Sequence, residues 1–244
     1  MEIILLLVFV ASVGGQVEID VRIIGGQDAS VGEFPYQVSL RYDGHHYCGG
    51  SIIDETTILT AAHCVQKKNA SLLTVAVGNN YLSSGEIHKV DRYIKHEHFD
   101  SALITNDIAL LKLKDPLEFN DRIRPVVLGT QYIPAGVRSV ASGWGFTVAP
   151  QFSEYLQKVN LRTTDLQECY NLNANKTIVP VRSTNICTFT AMGEGTCVGD
   201  SGGPLVAHRH QIGIVSWGFG CAGSIPEVFT RVSSYIDWIE KHRY

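Results

Sequence analysis

Tyr36-Gln37-Val38-Ser39-Leu40-Arg41-Tyr42 sets an apolar or aromatic side chain at every second position, with polar residues between. Neighbouring side chains of an extended chain point to opposite faces, so this alternation predicts a strand with one face in a core. Leu73, Val75 and Val77 repeat the pattern. Short segments of this kind are separated by glycine-bearing turns at Asp43-Gly44, Gly78-Asn79-Asn80, Ser84-Gly85, Ala135-Gly136 and from Gly218 to Gly223. Strands punctuated in this way predict an all-β sandwich or barrel. The turn-rich stretch from Gly129 to Gly136 suggests two β modules of similar size. Only the end reads as helical, where Val232, Ile236 and Ile239 share a face and Ser233 or Ser234 offers an N-cap.

The chain has 244 residues, 45% of them hydrophobic, which is ample for a packed core. A net charge of −4 without runs of like charge argues against a nucleic-acid partner or a membrane-surface patch. Residues Ile3 to Ala11 form a short apolar run followed by Ser12, Gly14 and Gly15, the pattern of a secretory signal peptide over residues 1–15. Cleavage is expected after Gly15, with Ser12 and Gly14 as alternatives. Glu2 stands where a basic residue is usual, so a buried N-terminal strand is the other reading. With a secretion signal, the six cysteines Cys48, Cys64, Cys169, Cys187, Cys197 and Cys221 read as three disulfides. Their connectivity is open among fifteen arrangements, of which nearest-neighbour pairing is the simplest.

Gly199-Asp200-Ser201-Gly202-Gly203-Pro204 offers a serine in a glycine-bracketed turn, where backbone amides can face a reacting carbonyl. The same residue types also build ordinary surface turns. A serine hydroxyl is a weak nucleophile at neutral pH and needs a base, which in turn needs an orienting group. Of nine histidines, His63 is the best base, because Thr60-Ala61-Ala62-His63-Cys64 is a small-residue segment pinned by a cysteine. His45, His46, His88, His96, His98, His208, His210 and His242 lie in polar, turn-like or terminal surroundings. Asp107 opens the apolar run Ile108-Ala109-Leu110-Leu111, which carries its carboxylate to the edge of a core; a capping or turn role is its alternative.

The order His63, Asp107, Ser201 in these three contexts resembles the trypsin and chymotrypsin family of secreted serine endopeptidases, most nearly its invertebrate chymotrypsin-like members. The resemblance runs from Ile23 to the C-terminal helix. It implies an all-β fold of two six-stranded antiparallel Greek-key β-barrels with a C-terminal α-helix, the first barrel over 23–130 and the second over 131–244. It implies that Ser201 attacks the scissile carbonyl, His63 takes its proton, Asp107 holds the imidazole, and the backbone amides of Gly199 and Ser201 receive the oxyanion. It also pairs Cys48 with Cys64, Cys169 with Cys187, and Cys197 with Cys221. Ser216-Trp217-Gly218 matches the family's substrate-binding strand. Residues 16–22 then form an activation peptide, and cleavage after Arg22 by a trypsin-like enzyme frees the Ile23 ammonium to pair with Asp200.

In the family the residue six before the nucleophile floors the primary pocket, as Asp in trypsin-like enzymes. Here it is Gly195, and Gly218 and Gly220 leave the mouth open. Glu227 aligns with a pocket-wall position, with solvent exposure at a loop edge as its alternative. The expectation is cleavage after Phe, Tyr, Leu or Trp, with secondary activity after Lys or Arg through Glu227. Protein or peptide substrates, an activating protease and protein inhibitors are the expected partners of a secreted monomer. No cofactor is expected: a zinc site at His63 and Cys64 lacks a second ligand pair, and Asn79 weakens the loop from Gly78 to Glu86 as a calcium site. Asn69-Ala70-Ser71 and Asn175-Lys176-Thr177 are glycosylation sequons. A non-catalytic homologue and a structural β module are the competing readings.

Overall fold

A computed structural model describes residues 25–147 and 151–244. The expected signal peptide, Arg22 and Ile23 lie outside the described residues. The strand order begins β1 (Gln27–Asp28), β2 (Gln37–Tyr42), β3 (His45–Ile52), β4 (Thr57–Thr60), β5 (Leu73–Val77), β6 (Glu86–Lys95) and β7 (Ala109–Leu113). It continues with β8 (Val127–Leu128), β9 (Arg138–Gly143), β10 (Gln157–Arg162), β11 (Asn185–Thr188), β12 (Pro204–Ala207), β13 (His210–Trp217) and β14 (Glu227–Arg231). The helices are α1 (Ala62–Val65), α2 (Leu166–Ala174) and α3 (Ile236–His242). None of them is long and apolar enough to cross a membrane.

The first sheet closes on itself in the order β2-β3-β4-β7-β6-β5, every pair antiparallel. The strand predicted here is β2, with Val38 and Leu40 fully buried in the barrel; Gln37 and Ser39 on the other face are buried as well, bonded to Ser142 and His46, and Asp43 and Gly44 both adopt positive φ in the hairpin turn to β3. Inside lie Ile52, Ile58, Leu59, Val75, Leu110 and Leu111.

The second sheet runs β1-β10-β9-β12-β13-β14-β11. Its six longer strands close through a single bridge between Thr163 and Thr188, where Thr164 N–H donates to Cys187 O (2.9 Å) and Phe189 N–H to Arg162 O (2.9 Å). Two features depart from a purely antiparallel six-stranded barrel. β1 adds to the edge of β10, and β8 pairs with β13 in parallel, because the chain crossing between the barrels runs alongside β13 before Gly129 N–H bonds Gln211 O (2.9 Å). Phe229, Leu205, Ile186 and Leu161 fill this core.

Each half is latched to the other. α3 comes after β14 of the second sheet, yet Tyr235, Trp238 and Ile239 belong to the first core. Between the sheets Ser51 Oγ donates to Gln211 Oε1 and Ser142 Oγ to Gln37 Oε1, each at 2.6 Å and buried. These paired polar groups fix the relative register of the sheets, since each would be costly to bury alone.

Helix is not confined to the end. α2 forms because the Asp165 carboxylate caps it, accepting the N–H groups of Gln167 (2.9 Å) and Glu168 (3.0 Å). Its apolar periodicity is faint because the helix lies on the surface and buries only Cys169 and Asn173. At the C-terminus the expected caps are also displaced. Ser233 lies within, and Ser234 closes, the 3₁₀ turn Val232–Ser234, and α3 starts after Tyr235, which makes no side-chain cap. Asp165→Ala should lower unfolding stability by about 1 kcal/mol, measured by urea denaturation, with little effect on the chemistry of the distant site.

Candidate active site

Asp107 follows Asn106, which holds a positive φ of 53° and is fixed on both sides. Its Nδ2 donates to His98 O (2.8 Å), and its Oδ1 accepts from Tyr235 Oη (2.9 Å). The bend turns Asp107 inward at the mouth of β7, where it is 1% exposed. Its Oδ1 accepts His63 N–H (2.9 Å), and its Oδ2 accepts Ser216 Oγ–H (2.6 Å) and lies 2.7 Å from His63 Nδ1. Thr230 Oγ1 donates to its main-chain carbonyl (2.8 Å). A carboxylate can remain ionised in such a place only when surrounded by donors, and these come from both barrels.

His63 sits in the short helix α1, and its ring retains 31% exposure. Burial pulls its pKa down, but the Asp107 charge and hydrogen bond outweigh it and the net shift is upward. With Nδ1 committed to Asp107, Nε2 faces the Cys48–Cys64 disulfide, 3.6 Å from Cys64 Sγ. That same sulfur lies 3.6 Å from Ser201 O, and Gly49 N–H donates to Ser201 O (2.7 Å). The disulfide thus joins the His63 segment to the Ser201 loop. No hydrogen bond joins Ser201 Oγ to His63 Nε2 among the described residues; such bonds often tighten only with substrate bound. Because Cys48 and Cys64 are bonded to each other, their sulfurs offer no thiolate beside His63 for a metal.

The Ser201 loop is tied by its main chain on both sides of the serine. Asp200 N–H donates to Cys197 O (3.1 Å), Gly202 N–H to Val215 O (2.8 Å) and Gly203 N–H to Asp200 O (2.9 Å). Gly199 has a φ of +99°, and a Cβ there would meet the Phe152 ring, so only glycine fits two residues before Ser201. Asp200 is completely buried and accepts Gly145 N–H (2.8 Å) and Cys197 N–H (2.9 Å). Burial raises its pKa to about 6, against the lowering effect of those two bonds.

Beneath Ser201 opens a pocket of about 260 Å³, lined among others by Val198, Val215, Trp217, Gly218 and Gly220. Glu227 closes its base and does not point to solvent. A Cβ on Gly195 would collide with Glu227 Oε1, so the carboxyl group of β14 occupies the space that a Gly195 side chain would fill. Its Oε2 accepts Thr196 N–H (3.0 Å) and Thr196 Oγ1–H (3.1 Å), whereas Oε1 is buried without a partner. Burial raises the pKa of Glu227 to about 7, opposed by the Thr196 bonds. The Cys197–Cys221 bridge braces the pocket, and Cys169–Cys187 ties α2 to β11.

One residue lies in surroundings different from its sequence-based reading. His46 is buried in β3, its Nδ1 bonded to Ser39 Oγ (2.9 Å) and its ring edge-on to Phe152. Burial lowers its pKa to about 4. The alternation of exposed His45 and buried His46, Tyr47 and Cys48 being next in the strand, was the available signal. Ser216 lines the pocket, and its hydroxyl also donates to Asp107. In the loop from Gly78 to Glu86, Asn79 Oδ1 accepts Tyr81 N–H (2.9 Å) and Glu86 binds His88 (2.8 Å).

Glu227 carries a stability signature independent of activity. Below pH about 4.5 it is protonated in the folded and unfolded chain alike, and between 4.5 and 7 the unfolded chain loses the proton first. Its contribution therefore becomes less favourable as pH rises through this window, by on the order of 3 kcal/mol, and is constant above it. Glu227→Gln should raise the melting temperature at pH 8 and change it little at pH 4.5; equal shifts at both pH values would contradict the buried acid.

A family model described as Trypsin matches residues 23–239. The chain is 38% identical over 232 residues to a trypsin of Phaedon cochleariae, covering 91% of this chain and 88% of that protein. It is 41% identical over 224 residues to chymotrypsin-2 of Vespa crabro, covering 91% of this chain and all of that protein. To trypsin alpha of Drosophila melanogaster it is 39% identical over 252 residues, with 97% and 96% covered. Relatives carrying both names lie at similar identity, so the comparisons distinguish family but not specificity. Fold and similarity together make this chain a member of the trypsin family of serine proteases.

Proposed function

We propose that the chain is a secreted serine endopeptidase, made as a zymogen and working through Ser201, His63 and Asp107. The observation that carries this reading is the buried Asp107 carboxylate bound to His63 Nδ1, with Nε2 turned to the Cys64 sulfur, which itself lies against the Ser201 carbonyl. In that tautomer His63 takes the Ser201 hydroxyl proton as Oγ bonds to the scissile carbonyl carbon. Asp107 stabilises the imidazolium that results. The carbonyl oxygen becomes an oxyanion facing the Gly199 and Ser201 amides, the leaving amine takes the proton from His63, and water cleaves the acyl-enzyme by the same route. Ser201→Ala should cut kcat by more than about a thousandfold and abolish labelling by a fluorophosphonate. Full labelling of that variant would refute Ser201 as nucleophile. Since His63 must be neutral to act, kcat/KM should fall as pH drops through its raised pKa, and Asp107→Asn should cost about a hundredfold or more.

Activation follows cleavage after Arg22. The fully buried Asp200 supports it, because a buried carboxylate is stabilised by an incoming ammonium such as that of Ile23. Trypsin treatment should give esterase activity together with a new N-terminus at Ile23; activity that appears without that terminus counts against the scheme.

Specificity is chymotrypsin-like, for Phe, Tyr, Leu or Trp before the scissile bond, with secondary cleavage after Lys or Arg. The open, largely apolar walls support the first part, and the buried Glu227 carboxyl at the base supports the second. Profiled on matched peptides, the activated enzyme should prefer aromatic residues, and Glu227→Gly should reduce basic cleavage selectively. No hydrolysis after aromatic residues would overturn the main assignment, and an unchanged basic rate in the variant the secondary one.

A further inference from the structure

The base of the pocket holds an acid that is buried, half-partnered and placed to meet the end of a bound side chain. Thr196 engages only Oε2 of Glu227, and Oε1 has no partner. Among the described residues no cation neutralises the group. From its own strand pairing it faces Thr188 of β11, and from the loop before Ser201 it faces Gly195, Thr196 and, at longer range, Asp200. The loop after β13 contributes the main chain of Ala222, and Gly218 lies against its Cγ. Asp200 is the single charged group that acts on it among the described residues, and being negative it favours the neutral acid. In the activated enzyme of the reading above, the Ile23 ammonium balances Asp200, which leaves burial, the largest cause, to hold the proton on Glu227.

We propose that a single proton on Glu227 selects between two substrate classes: apolar and aromatic side chains when it is present, cationic side chains when it is absent. This rests on the dual specificity proposed above and deepens it into a regulation of the same pocket. With an aromatic ring in the pocket, the last water leaves the carboxyl group and the neutral acid is favoured further. With a lysine or arginine, the pocket acid ionises, the carboxylate pairs with the ammonium or guanidinium, and one proton passes to solvent. Affinity for the cation therefore contains the free energy of removing that proton, which vanishes once the pH exceeds the pKa of the empty pocket. Burial sets that pKa near 7, so the exchange falls near neutral pH.

The test uses the activated enzyme and peptide pairs identical except for Arg or Phe before the scissile bond, assayed between pH 5.5 and 8.5. Taking the ratio of kcat/KM for the two cancels the ionisation of His63 and of any group that alters both equally. The Arg/Phe ratio should rise about a hundredfold between pH 6 and pH 8, since the Arg rate gains about tenfold while the Phe rate loses about as much, and in Glu227→Gln it should be low and flat. Benzamidine, a permanent cation over this range, gives a readout on the unaltered protein. Its Kd should tighten by about tenfold over the same interval, and calorimetry in two buffers of different ionisation enthalpy should find about one proton released per ligand at pH 6 and none at pH 8.5. Cleavage after Arg with a pH-independent ratio, or benzamidine binding without proton release, would overturn the switch and leave dual specificity standing. Cleavage after Phe with none after Arg at any pH would overturn dual specificity and the switch with it.

Discussion

The burial of one carboxylate governs this molecule. Asp107 is removed from water at the seam of the two sheets, and a charge there is tolerable only if every lone pair finds a donor. The donors come from separate elements: the His63 ring and amide from α1, and the Ser216 hydroxyl from β13, while Thr230 of β14 holds the main-chain carbonyl. Loss of register between the sheets would strand the charge. The polar pairs Ser51 with Gln211 and Ser142 with Gln37, together with the C-terminal helix seated on the first core, resist that loss. The strained φ of Asn106, held by His98 and Tyr235, is the local cost of aiming Asp107 into the seam.

A second constraint is that two more acids lie close together on the other side of Ser201. Asp200 and Glu227 are both buried, and both have pKa values raised by that burial. Backbone and Thr196 donors lower each only partly. The loop between them is braced by the Cys197–Cys221 disulfide and by hydrogen bonds into β13, so neither acid can swing out to water without breaking the frame that presents Ser201. Stability is thus given up to keep two acids buried with incomplete partners. This is the usual sign of groups retained for chemistry and not for folding.

Much of the fold was legible in the residues. Alternation along Tyr36–Tyr42 and Leu73–Val77 predicted β2 and β5, because a period of two is a property of the extended chain itself. The missed helix α2 had a cue in Asp165 followed three residues later by Glu168, but its surface position left no apolar stripe to support the cue. The two-residue strands β1 and β8 had no cue at all, since each exists only through the neighbour that pairs with it. His46 was hidden among turn-like neighbours although it sits inward in β3, where a bulge between Leu40 and Arg41 shifts the opposing register.

For the site, the sequence by itself determined the kinds of group present: a serine in a glycine-bracketed turn, a histidine beside a cysteine, an aspartate opening an apolar run, and a glycine where a pocket floor lies in relatives. Such properties are local, carried by neighbours along the chain. Which groups meet was decided only by the tertiary structure. His63 and Asp107 are 44 residues apart and Asp107 and Ser216 are 109 apart, and only barrel closure and sheet packing bring them within 3 Å. The direction of Glu227 belongs to the same class. Sequence left it between solvent and pocket, and the pairing of β14 with β11 and β13 turned it inward, because a strand residue has two faces and its neighbours in the sheet choose which one is buried.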